Sequence, residues 1–128
     1  MSLSSPQWKD VKTVAELEKI IEDSKSKPVL LLRHNESNPF SVQVKKNLDQ
    51  DWSLSASQLD TYIADASIAS ITDKVITVAG VDDETPQVIL FADGVTMYDE
   101  SLELISFKKI KLALKIVNRT FRWMETRA

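Results

Sequence analysis

The sequence predicts one α/β domain over residues 1–128, with a central four-stranded mixed sheet and helices on both faces. Three observations support this fold class. Short apolar runs at residues 29–33 and 87–91 are typical of strands buried on both faces. Segments with apolar residues at helical spacing separate these runs. Asp93-Gly94, between two β-rich stretches, is a strong hairpin signal.

The N-terminal segment predicts a short anchoring element followed by one helix. Residues 8–11 form either a first turn or a short strand. Thr13 is a candidate N-cap, and Glu16 three residues later completes a capping box. Leu17 and Ile20 then begin an apolar stripe at helical spacing.

The segment around which the chain is organised is residues 28–48. Residues 29–33 are the first core strand, and a short polar loop leads into a helix. Asn38 and Pro39 are a favoured pair for a helix start, with asparagine as N-cap and proline at the first helical position. The helix is expected to reach about Asp51. Its buried side chains are expected to be those of Phe40, Val44 and Leu48.

A second strand is expected to end in residues 59–63. Ser67 is the expected cap of the next helix, and Gly80 suits its C-cap. The apolar positions of that helix are Ile68, Ile71, Val75 and Ile76.

An acidic loop at residues 81–86 leads into the third strand at residues 87–91, and residues 95–98 form its hairpin partner. Ser106 is expected to cap a long last helix over about residues 106–126. The apolar positions of this helix are Ile110, Leu114, Val117, Phe121 and Met124.

Composition excludes several classes of chemistry. The chain has no cysteine, which removes disulfides and every mechanism that uses a thiol of the protein. One histidine excludes multi-histidine metal sites, and we expect no metal and no cofactor. The net charge of −3 argues against general nucleic-acid binding. We expect a cytoplasmic protein without membrane contact, since no signal peptide or apolar run of about 18 residues is visible.

Charge is unevenly distributed along the chain. Acidic residues precede the last helix, and basic residues crowd it: Lys108, Lys109, Lys111, Lys115, Arg119, Arg122 and Arg127. The simplest interpretation is a solvated basic helix face. Phe121, Trp123 and Met124 either pack on Trp8 and the first helix or offer apolar surface for a homodimer.

The order of elements, with Thr85-Pro86 leading into the third strand, resembles the thioredoxin fold. Within it, the chain resembles the monothiol bacilliredoxins, bacterial general-stress proteins with a "KHS" sequence after the first strand and "CPIS" at the helix start. The corresponding residues here are Arg33-His34-Asn35 and Asn38-Pro39-Phe40-Ser41. The segment from Gly80 to Gly94 resembles the family's "GV…ESPQ…DG" stretch. The resemblance covers roughly residues 8–115 and implies a cis peptide bond before Pro86, opposite the helix start.

The chain departs from this family at the position that carries the chemistry. The family cysteine falls on Asn38, the serine at the resolving position falls on Ser41, and a later family histidine is replaced by Leu102. Redox activity therefore does not carry over. An asparagine at this position removes the nucleophile and retains the helix cap.

The degenerate active-site positions are therefore His34, Asn38, Pro39 and Ser41, with Thr85-Pro86 across a groove. His34 and Ser41 suggest a base and a nucleophile. The alternative is a strand-end histidine and a first-turn serine, which the sequence favours because it shows no third member of a triad.

Two functions follow from these residues. The first is a redox-inactive binding or structural module that receives an extended segment of a protein or peptide partner. The second is a redox or transferase-like protein that holds a low-molecular-weight thiol such as bacillithiol or glutathione. The acidic residues 82–84 beside the groove would repel anionic thiols, which favours the first.

Overall fold

A computed structural model describes residues 6–121. Strands and helices alternate along the chain as far as β4, which is followed directly by β5. The elements are β1 Lys9–Val11, α1 Val14–Asp23, β2 Val29–His34, α2 Pro39–Asp51, β3 Asp60–Asp65, α3 Ala69–Ala79, β4 Gln87–Ala92, β5 Val95–Ser101 and α4 Phe107–Phe121. A 3-10 turn, Leu102–Leu104, joins β5 to α4. This α/β order confirms the predicted fold class.

One mixed sheet runs through the centre in the order β1-β3-β2-β4-β5. Strands β1, β3 and β2 are parallel, whereas β4 pairs antiparallel with both β2 and β5. The sheet thus has five strands rather than the predicted four. The additional strand is β1, which pairs with Tyr62 to Ala64 of β3 and buries Val11 at the sheet edge.

Every residue of β2 and of β4 is buried, as their continuous apolar runs predict. Alternate side chains of β2 point to opposite faces, so Leu30 and Leu32 pack with α2 and α4. Val29 and Leu31 pack with α1 and α3 on the other face. The two hydrophobic cores therefore sandwich the sheet.

The predicted helix ends are largely confirmed. Thr13 Oγ1 accepts a hydrogen bond from the Glu16 amide at 3.1 Å, and the Glu16 carboxylate accepts one from the Lys12 amide at 3.0 Å. Gly80 ends α3 in the left-handed conformation (φ 68°). The Ser106 hydroxyl accepts from the Lys109 amide at 3.2 Å at the start of α4.

Three sequence expectations need correction or restriction. Ser67 does not cap α3: the N-cap is Ile68, and the Ser67 hydroxyl instead donates to Asp65 in the preceding turn. Phe40 is 43% exposed rather than buried, because it lies on the outer side of the first turn of α2. The last helix is described only to Phe121, so the predicted extension to residue 126, with Trp123 and Met124, lies outside the described residues.

Candidate functional site

The junction between β2 and α2 is built around the side chain of Asn38. The Asn38 Oδ1 atom accepts hydrogen bonds from the amides of Phe40 at 2.9 Å and Ser41 at 3.3 Å. Pro39 occupies the first helical position, where a missing N–H costs nothing. The side-chain oxygen of Asn38 therefore accepts hydrogen bonds from two of the backbone amides that the start of α2 leaves without intrahelical partners.

His34, the last residue of β2, lies at the centre of a hydrogen-bond chain that runs from the buried Ser41 to the exposed Glu36. Its Nδ1 atom is 2.7 Å from Ser41 Oγ, and its Nε2 atom is 2.9 Å from a carboxylate oxygen of Glu36. Because the Glu36 carboxylate can only accept, the Nε2 atom of His34 carries the proton between them. In the tautomer with its proton on Nε2, the Nδ1 atom is an acceptor for the Ser41 hydroxyl, whose oxygen also accepts from the Asn35 amide.

Glu36 thus supplies the third group that the sequence alone did not reveal. The Glu36–His34–Ser41 chain has the connectivity of an acid, base and nucleophile. However, Ser41 is fully buried within the first turn of α2, and no substrate atom has access to its oxygen. The chain therefore fixes the loop between β2 and α2, and the burial of Ser41 favours the interpretation as a strand-end histidine and a first-turn serine.

Pro86 lies at the same edge of the sheet as the start of α2. The Thr85–Pro86 peptide bond is cis. The antiparallel register pairs Arg33 of β2 with Gln87 of β4, so the next position along, Pro86, lies opposite His34. Pro86 is buried, and its carbonyl accepts the amide of Leu102 at 3.0 Å. This bond ties Leu102, which has a positive φ of 58°, to the proline through the backbone.

Arg33 holds the acidic loop before Pro86, although its side chain is 1% exposed. The guanidinium donates to Asp83 at 2.9 Å, to Gln87 Oε1 at 3.0 Å, and to Thr72 Oγ1 and the Glu84 carbonyl at 3.2 Å. Sequence reasoning assigned no role to Arg33. The available signal was a single cation inside an otherwise apolar strand, since a buried charge needs partners.

The surface around this junction is partly apolar. Phe40 is 43% exposed and Leu104 of the 3-10 turn is 53% exposed, and α2 contacts that turn. Thr85 is half-buried, and no hydrogen bond of its backbone is found within residues 6–121. An extended segment laid beside Thr85 would therefore meet free backbone groups and apolar side chains.

A cavity of about 370 Å³ opens on the other side of His34, at the carboxyl ends of β1, β3 and β2. Its polar lining comes from Asp10, Lys12, His34, Glu36 and Asp65. Hydrogen bonds from Ser67 lower the pKa of Asp65, so this carboxylate is charged at neutral pH. Among the described residues no group of three or more histidine, aspartate and glutamate side chains is arranged to hold a metal ion.

The structure thus brings all six predicted positions to one edge of the sheet. His34, Asn38, Pro39 and Ser41 form the strand-to-helix junction, and Pro86 follows from the strand register. Thr85 precedes Pro86 in the same loop. None of the described helices is long and apolar enough to cross a membrane.

Comparison with known proteins agrees with this architecture. Residues 9–110 match the model of the family described as "Monothiol bacilliredoxin BrxC". No curated protein sequence matches the chain.

Solved structures with the thioredoxin fold superpose well. A candidate oxidoreductase with that fold has 21% identity and a TM-score of 0.67, covering 82% of this chain and 91% of the other. Thioredoxin from Malassezia sympodialis (Mala s 13) has 9% identity and a TM-score of 0.67, covering 90% and 94%. Oxidised thioredoxin from Plasmodium falciparum has 13% identity and a TM-score of 0.64, covering 87% and 98%. At these identities the similarity shows a shared fold.

Proposed function

Since the chain belongs to the monothiol bacilliredoxin family and yet has no cysteine, we propose that it is a redox-inactive binding module. In this proposal an extended segment of a partner protein or peptide lies between Asn38-Pro39 and Thr85-Pro86. The observation that carries it is the cap at Asn38. The side chain at the family's cysteine position bonds the amides of Phe40 and Ser41, so it is committed to the helix start.

The start of α2 could stabilise either a thiolate or the side chain of an asparagine cap. A thiolate there is stabilised by free amides and by the helix dipole, which makes it reactive at neutral pH. The side-chain oxygen of Asn38 accepts hydrogen bonds from the same donors, but the side-chain amide is neither nucleophilic nor redox-active. What the fold retains is a half-buried Thr85, whose backbone makes no hydrogen bond within residues 6–121, and an exposed Phe40 at the start of α2. Such a surface suits strand addition rather than electron transfer.

The competing function is binding of a low-molecular-weight thiol such as bacillithiol, glutathione or coenzyme A. Two carboxylates of the acidic loop, Asp82 and Glu84, are exposed without an ion pair within residues 6–121. Both would repel an anionic thiol that approached the groove. Asp83 is the exception, because its charge is paired with Arg33.

The test uses NMR shifts of the ¹⁵N-labelled full chain. The probe is a synthetic extended peptide rich in valine and threonine, and the matched control carries one N-methylated amide. The proposal expects saturable shifts at Thr85, Phe40 and Leu104 that the N-methylated peptide does not produce, because strand addition needs the peptide N–H. Equal binding of both peptides, or shifts elsewhere, would contradict it.

A parallel titration with bacillithiol, glutathione and coenzyme A separates the two functions. The binding-module proposal expects no saturable shift with any of the three. Saturable shifts confined to Asn38, Ser41 and Thr85 would instead establish the thiol-binding function and refute the proposal.

A further inference from the structure

Helix α4 carries an unusual balance of charge on its exposed face. Between residues 107 and 121 there are five cations and no carboxylate, whereas the whole chain has a net charge of −3. The five are Lys108, Lys109, Lys111, Lys115 and Arg119, and all are exposed. Of these five cations, only Lys109 has a carboxylate of the described residues within 4 Å, that of Glu100 at 3.9 Å. The other four cations therefore face solvent without an ion pair to any residue in the range 6–121.

Two aliphatic side chains lie within this basic face. Leu112 is 58% exposed and Ile116 is 55% exposed, four residues apart and hence on one stripe of the helix. The opposite side of α4 already buries Ile110, Leu114 and Val117 in the core, so Leu112 and Ile116 are not needed for packing. Apolar residues surrounded by charged ones have the layout of a protein interface, with an apolar centre and a polar rim.

A groove runs along one flank of the same face. It encloses about 520 Å³, and Leu54 and Leu114 contribute its apolar part. Lys111, Lys115 and Arg119 line it at intervals of four residues, which places consecutive cations about 6 Å apart along the helix axis. A second helix laid alongside presents residues at the same spacing.

We propose that this basic face of α4, defined by Lys108, Lys111, Leu112, Lys115, Ile116 and Arg119, docks an acidic amphipathic helix of a partner protein. The partner's carboxylates at every fourth position pair with the basic stripe, and its apolar stripe covers Leu112 and Ile116. Charge complementarity selects an acidic partner and sets the approach. The groove beside the basic stripe adds a concave surface along one edge of this face, next to Lys111, Lys115 and Arg119.

Other anionic surfaces fit these observations less well. A nucleic acid has no apolar stripe to cover Leu112 and Ile116, and a flat membrane surface does not enter the groove beside the basic stripe. A second copy of the chain offers α1 as its acidic helix. Glu18, Glu22 and Asp23 of α1 are already paired with Lys74, Lys25 and Lys19.

The experiment measures binding of a labelled synthetic peptide to the full chain by fluorescence anisotropy. The peptide is an acidic amphipathic helix of about 16 residues, with glutamate at every fourth position and leucine on the adjacent stripe. A scrambled peptide of the same composition is its control. We expect saturable binding of the amphipathic peptide, weakened by added salt, with NMR shifts confined to α4 and the groove.

Variants separate the basic face from bulk charge. Lys111→Glu with Lys115→Glu should weaken binding at least about tenfold, because two attractions become repulsions. Leu112→Ser with Ile116→Ser should weaken it without changing the net charge. The matched control, Lys12→Glu with Lys46→Glu, makes the same charge change at exposed lysines elsewhere and should leave affinity within about twofold.

All of these residues are exposed, so the variants are expected to fold, and circular dichroism checks that they do. Equal affinity for the scrambled peptide, or an equal loss in the control variant, overturns the proposal. It is also overturned if the peptide does not bind. Association of the chain with anionic phosphatidylglycerol vesicles or duplex DNA in preference to the peptide, or concentration-dependent self-association in sedimentation, would assign the face to another occupant.

Discussion

The ion pair between Arg33 and Asp83 offers a sharp test of how the loop before Pro86 is held. The arginine is 1% exposed, whereas the Asp83 side chain is 61% exposed. By exposure alone Asp83 would be a surface residue, and its replacement would cost at most about 1 kcal/mol. Because its partner is buried, Asp83→Ala instead leaves a cation in the protein interior without the one carboxylate that pairs with it among residues 6–121.

The expected cost of Asp83→Ala follows from that buried charge. Removing one partner of a buried pair typically costs about 3–5 kcal/mol. The Arg33 guanidinium keeps three neutral acceptors, on Thr72, Glu84 and Gln87. We therefore expect the lower end of this range, about 3 kcal/mol.

Arg33→Met removes the charge together with its four hydrogen bonds. Asp83 returns to water, and the Thr72 hydroxyl keeps its bond to the Ala66 carbonyl at 3.0 Å. Gln87 Oε1 alone is left buried without a donor, which costs about 2 kcal/mol. The double variant should be no less stable than Arg33→Met, so the coupling between the two residues is about 3 kcal/mol.

The assay is urea unfolding followed by tryptophan fluorescence. Trp8 and Trp52 pack edge to face at 5.8 Å between ring centroids and report on the core. Glu84→Ala is the matched control, because it removes a charge from the same exposed loop and leaves the Glu84 carbonyl in place. If Asp83→Ala costs no more than Glu84→Ala, or if the double-variant cycle is additive, the claim that Arg33 holds the loop is refuted.

Three further predictions concern the helix start and a tyrosine. Asn38→Ala should lower the free energy of unfolding by about 1 kcal/mol through the lost cap, whereas Asn38→Ser should retain most of it; an equal loss would show that capping is not the cause. Asn38→Cys should give a thiol with a pKa below its ordinary value of about 8.5, measured by the pH dependence of alkylation, and a normal pKa would count against this placement of the helix end. Burial, helped by Glu100, raises the pKa of Tyr98 from 10.0 to about 12, so the folded state keeps this proton where the unfolded state loses it. Stability should therefore fall as the pH rises from 10 to 12, and Tyr98→Phe should remove that part of the decline in urea midpoints; an unchanged decline would exclude Tyr98 as its source.

Local sequence patterns determined most of the secondary structure. The apolar runs of β2 and β4, the hairpin at Asp93-Gly94 and the caps at Thr13, Asn38, Gly80 and Ser106 each depend on residues within a few positions of one another. Ser67 shows the limit of such patterns. As an N-cap its hydroxyl oxygen would accept a backbone amide of α3, but the hydroxyl instead donates to the Asp65 carboxylate in the preceding turn.

The site is divided in the same way. The Asn38 cap is local, and the sequence was sufficient to predict it. The cis bond at Pro86 was expected from the family resemblance rather than from the residues themselves. Glu36 as the partner of His34 was missed, because a residue two positions along a loop has no fixed direction until the loop is folded.

Short-range spacing by itself determined the α/β class and the order of elements, and composition alone determined that no thiol lies at the helix start. Only the tertiary structure decided that β1 joins the sheet as a fifth strand, that Arg33 binds a loop 50 residues away, and that α4 turns Leu112 and Ile116 outward. The reason is that these outcomes depend on which distant segments meet. Burial and strand pairing determine which distant segments contact one another, and the residues near one position in the sequence do not specify these contacts.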